Sequence, residues 1–172
     1  MKMIRAFALA AILFVLPLPF QAQAGETTYY LLRHAEKITT DINNSDPGLT
    51  EQGYQRAAWM TEYLAGKGIT RIFSSDYERT LETVAGLSGR LDIPVEIYDP
   101  RKLPEVAELF KTMEGVIVVA GHSNTTPALA RLISGQDTET MPESEYDRFY
   151  EIRLKEDGTA DLIVLKSQPP SS

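Results

Sequence analysis

The sequence predicts an α/β fold: a three-layer α/β/α sandwich with a mostly parallel central sheet and a C-terminal antiparallel hairpin. From residue 27 onward, short apolar runs alternate with stretches of helical spacing, which gives a βαβα order. The run Gly115–Ala120 is wholly apolar, as expected for a strand covered on both faces. Near the end, Tyr150, Ile152 and Leu154 alternate with charged residues ahead of an Asp157-Gly158 turn, which predicts the hairpin.

Residues 1–24 have the pattern of a secretory signal peptide. Lys2 and Arg5 precede an apolar stretch from Ala6 to Phe20, and small residues follow at Ala22-Gln23-Ala24. The stretch is shorter than the roughly 20 residues that span a bilayer, and it contains two prolines. We therefore expect cleavage after Ala24 and a periplasmic or secreted protein with no stable membrane anchor.

Removal of the first 24 of 172 residues would leave 148, a usual length for one domain over residues 25–172. The formal net charge would change from −7 to −9, which argues against nucleic acid or anionic lipid as the main partner. The chain has no cysteine and only two histidines, so disulfides are excluded and a zinc site is not expected. The sequence says nothing about oligomeric state.

The first half of the chain opens with a short apolar run over residues 28–33, which predicts a central strand. A polar loop, Lys37–Gly48, follows it. Thr50 can then cap a helix that stops at Gly66 or Gly68.

A second strand is predicted at Arg71–Ser75, and Ser75 or Asp76 can cap a helix over residues 77–91. A third strand is predicted over residues 93–98.

An amphipathic helix is predicted over residues 103–110, and the apolar fourth strand comes after it. Ser123 or Asn124 can cap the last helix, which carries Pro127 in its first turn. The tail, residues 168–172, is expected to fray.

Both histidines of the chain follow apolar strands: His34 comes after residues 28–33, and His122 comes after the fourth strand. Arg33 is next to the first histidine, and Arg79 lies in the first turn of the helix after the second strand. Because parallel strands end at the same sheet edge, where α/β folds bind ligands, we expect these side chains to share one pocket. Two arginines and two imidazoles suit a phosphoryl group, since the arginine fork matches phosphate oxygens.

Four segments of this chain resemble motifs of the histidine phosphatase superfamily, also called the phosphoglycerate mutase-like family. They are Leu32-Arg33-His34-Ala35-Glu36, Leu49-Thr50-Glu51-Gln52-Gly53, Ser74-Ser75-Asp76-Tyr77-Glu78-Arg79-Thr80-Leu81-Glu82-Thr83 and Val119-Ala120-Gly121-His122-Ser123. The resemblance spans about residues 28–165 and is to the small members of branch 1. Their joint order and spacing are more specific than any one motif.

The resemblance implies a role for each matching residue. His34 would be the nucleophile and form a phosphohistidine that water later hydrolyses. Arg33, Arg79 and His122 would bind the equatorial phosphate oxygens during in-line transfer. The arrangement implies no metal and no other cofactor.

The general acid that protonates the leaving oxygen is left open by the sequence. One branch of the family has an aspartate directly after the second histidine; here that position is Ser123, so that branch is excluded. In the other branch a carboxylate comes from the loop after the third strand, where Asp99 is our first choice and Glu105 our second. A third possibility is no acid at all, as for a phosphohistidine substrate whose nitrogen leaves with less help.

The substrate cannot be read from the sequence. It would be set by the loops Lys37–Gly48 and Pro100–Glu105, and Lys37 and Ser123 are added as candidate substrate-binding residues. We expect a small-molecule phosphomonoester or a phosphorylated envelope component. Glu36 and Lys37 could equally form only a local ion pair.

Three other interpretations were weighed against an exported phosphomonoesterase. Gly121–Thr125 is close to the nucleophile elbow of a serine hydrolase, but Thr125 replaces the final glycine and no histidine follows Ser123. A catalytically idle phosphate-binding module would keep the same pocket. A phosphohistidine-protein phosphatase has a similar size, although such enzymes serve cytosolic phosphorelays.

Overall fold

A computed structural model of the chain describes residues 26–41 and 43–171, so the predicted signal peptide lies outside the described residues. The elements in order are β1 (Thr27–Arg33), α1 (Glu51–Ala65), β2 (Arg71–Ser75), α2 (Glu78–Leu91), β3 (Val95–Tyr98), α3 (Leu103–Lys111), β4 (Val116–Gly121), α4 (Thr125–Ser134), β5 (Arg148–Leu154) and β6 (Ala160–Lys166). Within the described part, no helix has the length and apolar character needed to cross a membrane.

The six strands form one sheet in the order β3-β2-β4-β1-β5-β6. The four strands from β3 to β1 are parallel, β5 runs antiparallel to β1, and β6 runs antiparallel to β5. The predicted fold, a mostly parallel sheet with a C-terminal antiparallel hairpin, is confirmed. Arg33 pairs in register with Gly121, which brings the ends of β1 and β4 together.

Alternation along the buried strands divides the core between the two faces of the sheet. Tyr29 and Leu31 point to one face with residues of α3 and α4, including Phe110 and Ile133. Tyr30 and Leu32 point to the other face, and their cluster contains the α1 and α2 residues Met60, Leu64, Val84 and Leu87. The result is the three-layer sandwich.

Helix α1 begins as the sequence predicts, with the Thr50 hydroxyl accepting a hydrogen bond from the backbone N–H of Gly53 at 3.1 Å. The predicted caps of α2 are wrong, because neither Ser75 nor Asp76 caps it and Tyr77 occupies the N-cap position without a side-chain bond. Asp46 supplies the missing acceptor: its two carboxylate oxygens lie 3.1 Å from the backbone nitrogen of Glu78. A residue of the preceding loop thus caps the helix.

Helix α4 also begins without the expected side-chain cap. Asn124 is at the N-cap position but makes no capping bond, and Ser123 lies outside the helix. Instead, the Thr125 hydroxyl accepts a bond of 2.9 Å from the backbone N–H of His122. This bond fixes His122 at the turn between β4 and α4.

The tail that we expected to fray lies against the body of the protein up to residue 171. The Ser171 hydroxyl accepts hydrogen bonds from the backbone N–H groups of Tyr146 and Asp147 at 2.8 and 3.0 Å. Ser167 and Pro169 bind the buried Arg56. The tail therefore contributes to the support of the sheet edge where the strands end.

Candidate active site

A cavity of about 330 Å³ opens where β1, β2 and β4 end. The side chains around it come from the strand ends and the loops that follow them: His34, Lys37, Tyr77, Arg79, Pro100, Arg101, His122, Ser123, Asn124, Thr125 and Glu143. Three lining residues are cationic and one is a carboxylate, in a protein whose net charge is negative. The local charge favours an anionic ligand.

His34 is held by the ends of two strands and by α2. Its backbone N–H donates to the Gly121 carbonyl at 2.9 Å, which extends the pairing of β1 with β4. The next residue, Ala35, donates its N–H to the Thr83 hydroxyl at 3.0 Å. His34 is 3% exposed, so its ring position is set by the fold.

The hydrogen bonding of the His34 ring selects one tautomer. Nδ1 lies 2.7 Å from the carbonyl oxygen of Ala35, and a carbonyl only accepts, so Nδ1 carries the proton. Burial, with Arg33, His122 and Arg79 nearby, lowers the pKa of His34 to about 3. At neutral pH the ring is uncharged and the lone pair is on Nε2, which is the state of a nucleophile.

His122 lies beside His34, with 5.5 Å between the ring centroids. Its Nε2 is 2.9 Å from the hydroxyl of Ser75, which in turn is 3.0 Å from the hydroxyl of Thr80. Burial, followed by Arg79, Lys37 and Arg33, lowers the pKa of His122 to about 4. Because Ser75 occupies Nε2, Nδ1 is the ring atom left to a ligand.

Arg79 projects from the first turn of α2 into the cavity. One terminal nitrogen is 3.1 Å from Asp46, and the guanidinium lies over the Tyr77 ring at 4.5 Å. Its Nε is buried and has no hydrogen-bond partner. A buried unpaired donor is costly, and an anion in the cavity would satisfy it.

Arg33 is 2% exposed and is not among the residues that line the cavity. Its terminal nitrogens bind the loop between α4 and β5: the carbonyl of Pro142 at 2.9 Å, the carbonyl of Glu145 at 2.7 Å and the carboxylate of Glu143 at 3.1 Å. The guanidinium lies 4.1 Å from the centre of the Tyr146 ring. Like Arg79, it keeps a buried Nε without a partner.

Glu36 pairs with Arg56 rather than with Lys37, so the local ion pair considered from the sequence is not found. The Arg56 guanidinium donates from Nε at 3.0 Å and from one terminal nitrogen to the two Glu36 oxygens. The backbone carbonyl of Glu36 accepts from the N–H of Thr50 at 2.8 Å. A Cβ at Gly53 would lie 2.3 Å from that carbonyl, so α1 approaches the loop after His34 as closely as it does only because residue 53 is glycine.

The structure does not bring Asp99 or Glu105 to the cavity. Asp99 is bound by Arg101 through two side-chain nitrogens at 2.9 and 3.1 Å and through the Arg101 backbone N–H. These bonds lower the pKa of Asp99 to about 2 and hold its carboxylate in an ion pair with Arg101. Glu105 is exposed on the first turn of α3. The geometry argues against both candidate acids.

Lys37 and Ser123, the two candidate substrate-binding residues, both line the cavity. Ser123 donates a hydrogen bond to Glu143, and neither imidazole of the chain is its partner. A serine hydrolase needs a histidine beside that hydroxyl to act as general base, so the structure argues against Ser123 as a nucleophile.

Four residues at or beside the cavity are not predicted from the sequence: Asp46, Arg101, Glu143 and Tyr146. All four lie in loops, where no periodic pattern or motif marks them. Within residues 26–41 and 43–171, no group of three or more histidine, aspartate or glutamate side chains could hold a metal ion.

The sequence model of the histidine phosphatase superfamily (branch 1) matches residues 29–109 of this chain. No curated protein matches the sequence.

Several solved structures share the fold at low identity. The protein histidine phosphatase SixA in complex with tungstate is 18% identical, with a TM-score of 0.65 over 81% of this chain and 96% of that one. A mycobacterial glucosyl-3-phosphoglycerate phosphatase is 15% identical, with a TM-score of 0.67 over 84% of this chain and 100% of that one. A putative phosphohistidine phosphatase SixA from Agrobacterium tumefaciens is 20% identical, with a TM-score of 0.60 over 80% and 97%.

Proposed function

Because this chain belongs to the histidine phosphatase superfamily, we propose that it is an exported phosphomonoesterase that works without a metal ion, through a phosphohistidine at His34. The observation that carries the proposal is the state of the His34 ring. Its Nδ1 proton is committed to the Ala35 carbonyl, which leaves Nε2 as an uncharged nucleophile in a cationic cavity. Export rests on the signal pattern of residues 1–24.

In the first half of the reaction, Nε2 of His34 attacks phosphorus and the ester oxygen leaves with the electron pair of the broken bond. The unpaired Nε of Arg79 and the Nδ1 of His122 are the donors that the cavity offers to the equatorial oxygens. These donors are fixed before substrate binds, so they stabilise transferring charge with little reorganisation. In the second half, water attacks the phosphohistidine and restores His34.

The cavity volume of about 330 Å³ is at the lower end of the range for small-molecule sites. It accommodates a phosphoryl group with a modest leaving group. Lys37 and Arg101 on its wall add positive charge around an anionic substrate. This supports a small phosphomonoester or a phosphorylated envelope component as the substrate.

A phosphohistidine-protein phosphatase is the second candidate. The fold likeness to SixA favours it, as does the position of Asp99 and Glu105 outside the cavity, because a phosphohistidine nitrogen leaves with less help than an alcohol oxygen. The signal pattern favours the first candidate, since it separates this chain from cytosolic phosphorelays.

The test is a panel of substrates offered to residues 25–172 in the presence of a metal chelator: an aryl phosphate, sugar phosphates and a phosphohistidine peptide. We expect His34→Ala to lower kcat/KM by at least about 10³-fold, as loss of a nucleophile does. Ser123→Ala is expected to lose less than about 10-fold, since the hydroxyl only positions other groups.

Four results would contradict the proposal. Turnover that survives His34→Ala would exclude a phosphohistidine at His34. Turnover that is lost only in Ser123→Ala would favour a serine hydrolase. A protein that binds vanadate but hydrolyses no phosphoester would be the idle phosphate-binding module. A strong preference for the phosphohistidine peptide would select the second candidate.

A further inference from the structure

We propose that Glu143 is the catalytic carboxylate of this site, donating a proton to the leaving oxygen in the first half-reaction and accepting one from water in the second. The inference rests on the proposed phosphatase function and names the residue that the sequence left open. Glu143 is the one carboxylate among the described residues that line the cavity. Asp99 and Glu105, which the sequence favoured, lie outside it.

The carboxylate of Glu143 is held at both oxygens. Oε1 accepts a hydrogen bond from the hydroxyl of Ser123, the residue directly after His122. Oε2 accepts from a terminal nitrogen of Arg33, the residue directly before His34, at 3.1 Å. Glu143 is therefore tied to the immediate neighbours of both imidazoles, although it is more than 100 residues from Arg33 in the chain.

The loop that carries Glu143 is fixed on both sides of it. Arg33 also binds the carbonyls of Pro142 and Glu145, so three acceptors within four residues share one buried guanidinium. The side chain of Glu143 is nevertheless 74% exposed. A carboxylate with a fixed position and open access to water can exchange its proton with solvent between turnovers.

The charges around Glu143 suit both halves of the reaction. The Ser123 hydrogen bond and the cations Arg33 and Lys37 hold the pKa of Glu143 below the ordinary range for glutamate. A bound phosphate ester places negative charge beside the carboxylate, which raises that pKa and favours the protonated acid. When the leaving group departs with the proton, the carboxylate is ionised and ready to act as a base.

The atoms balance in both steps. The ester P–O bond breaks as the bond from His34 Nε2 to phosphorus forms, and the leaving oxygen takes its proton from Glu143. Water then forms a new P–O bond, the N–P bond breaks with its electron pair returning to His34, and the water proton goes to Glu143. The net reaction is hydrolysis of the ester to an alcohol and inorganic phosphate.

The experiment compares Glu143→Gln with the wild type on two substrates of different leaving-group quality, an alkyl phosphate and p-nitrophenyl phosphate. For the alkyl ester, we expect kcat/KM to fall by about 10²-fold or more, the usual contribution of a general acid. For the nitrophenyl ester, whose oxygen leaves without a proton, we expect kcat/KM to fall by less than about 10-fold. Hydrolysis of the phosphohistidine should become slow, so a burst of nitrophenol and an acid-labile phosphoenzyme should accumulate.

Glu108→Gln is the matched control, because it removes a carboxylate that is 76% exposed and lies outside the cavity, and it should leave both substrates unaffected. Asp99→Asn tests the competing candidate. Inhibition by inorganic phosphate measures how well each variant binds the phosphoryl group. If Glu143 only held Arg33 in place, Glu143→Gln would be inhibited more weakly by phosphate than the wild type.

The assignment of Glu143 would be overturned if Glu143→Gln lost kcat/KM equally on the two substrates and gave no burst. It would also be overturned if Asp99→Asn, and not Glu143→Gln, showed the larger loss on the alkyl ester. These outcomes are distinct from failure of the proposed function. If the proposed function were wrong, the wild type itself would lack turnover, or His34→Ala would retain it.

Discussion

Two arginines near the ends of the strands, the buried Arg56 and the half-buried Arg79, differ in how completely their donors are used. Arg56 is 1% exposed, and each of its three guanidinium nitrogens has a partner in Glu36, Ser167 or Pro169. Arg79 has one ion pair, with Asp46, and a buried Nε with no partner. Of the two, only Arg79 lines the cavity.

The difference separates a supporting group from a binding group. A guanidinium with every donor satisfied has nothing left for a ligand and contributes by fixing the loop after His34. A guanidinium with a buried free donor is destabilising by itself and becomes satisfied when an anion arrives. The same sheet edge therefore contains a completed polar network and an incomplete one.

The largest expected effect on stability is at Arg56. Arg56→Met leaves its ion-pair partner Glu36 buried without a counter-ion, which should lower the free energy of unfolding by about 3–5 kcal/mol. Urea unfolding measures it. Arg90→Met is the control, because its pair with Glu62 is exposed and should be worth less than about 1 kcal/mol. Similar losses for the two variants would show that the Arg56 network is not the stronger support.

Arg79 should show the reverse pattern. Arg79→Met should lower kcat/KM for a phosphate ester by about 10²–10³-fold, the usual loss for one preorganised donor to a transition state. It should change the free energy of unfolding by less than about 1 kcal/mol, because the ion pair that it loses is partly exposed and an unpaired donor goes with it. Steady-state kinetics and urea unfolding on the same preparation test both parts. If Arg79→Met were destabilised but still active, Arg79 would be a supporting residue like Arg56 and not a binding residue.

The smallest expected effect is the pH dependence that His34 adds to stability. Its pKa is about 3 when folded and about 6.5 when unfolded, so the unfolded chain binds more protons as pH falls below 6.5. The folded state therefore loses about 1.4 kcal/mol per pH unit from this residue between about pH 6 and pH 4, and nothing above pH 7. His34→Asn should remove that slope.

Urea unfolding of the wild type and His34→Asn at pH 7.5, 5.5 and 4.5 checks the sign and the size. We expect the wild type to lose stability faster than the variant on acidification. Parallel curves would mean that His34 titrates near its ordinary pKa and that the cavity does not exclude water from it.

The residues that sequence could place at the site are those fixed by strand ends. His34, His122 and Arg79 follow β1, β4 and β2 within a few positions, so the parallel order of these strands is enough to bring them together. The Thr50 cap was likewise readable, because a cap acts on backbone only three residues away.

The residues that could not be predicted from the sequence are positioned by contacts between segments that are far apart in the chain. Asp46 caps a helix that begins 32 residues later, and Glu143 reaches Arg33 across 110 positions. Ser75 looked like a helix cap, but its hydroxyl is taken by His122, a partner 47 residues away. No local pattern encodes such pairings, and the general acid was missed for this reason.

The contact between Arg56 and the tail also bears on how the protein is made. The ribosome adds Ser167 and Pro169 after every other described partner of Arg56, so one terminal nitrogen of this arginine stays without protein partners until synthesis has passed residue 169. The loop after His34 therefore depends for part of its support on residues more than 110 positions after Arg56. A chain that lacks them would carry all of the cavity's side chains without this support.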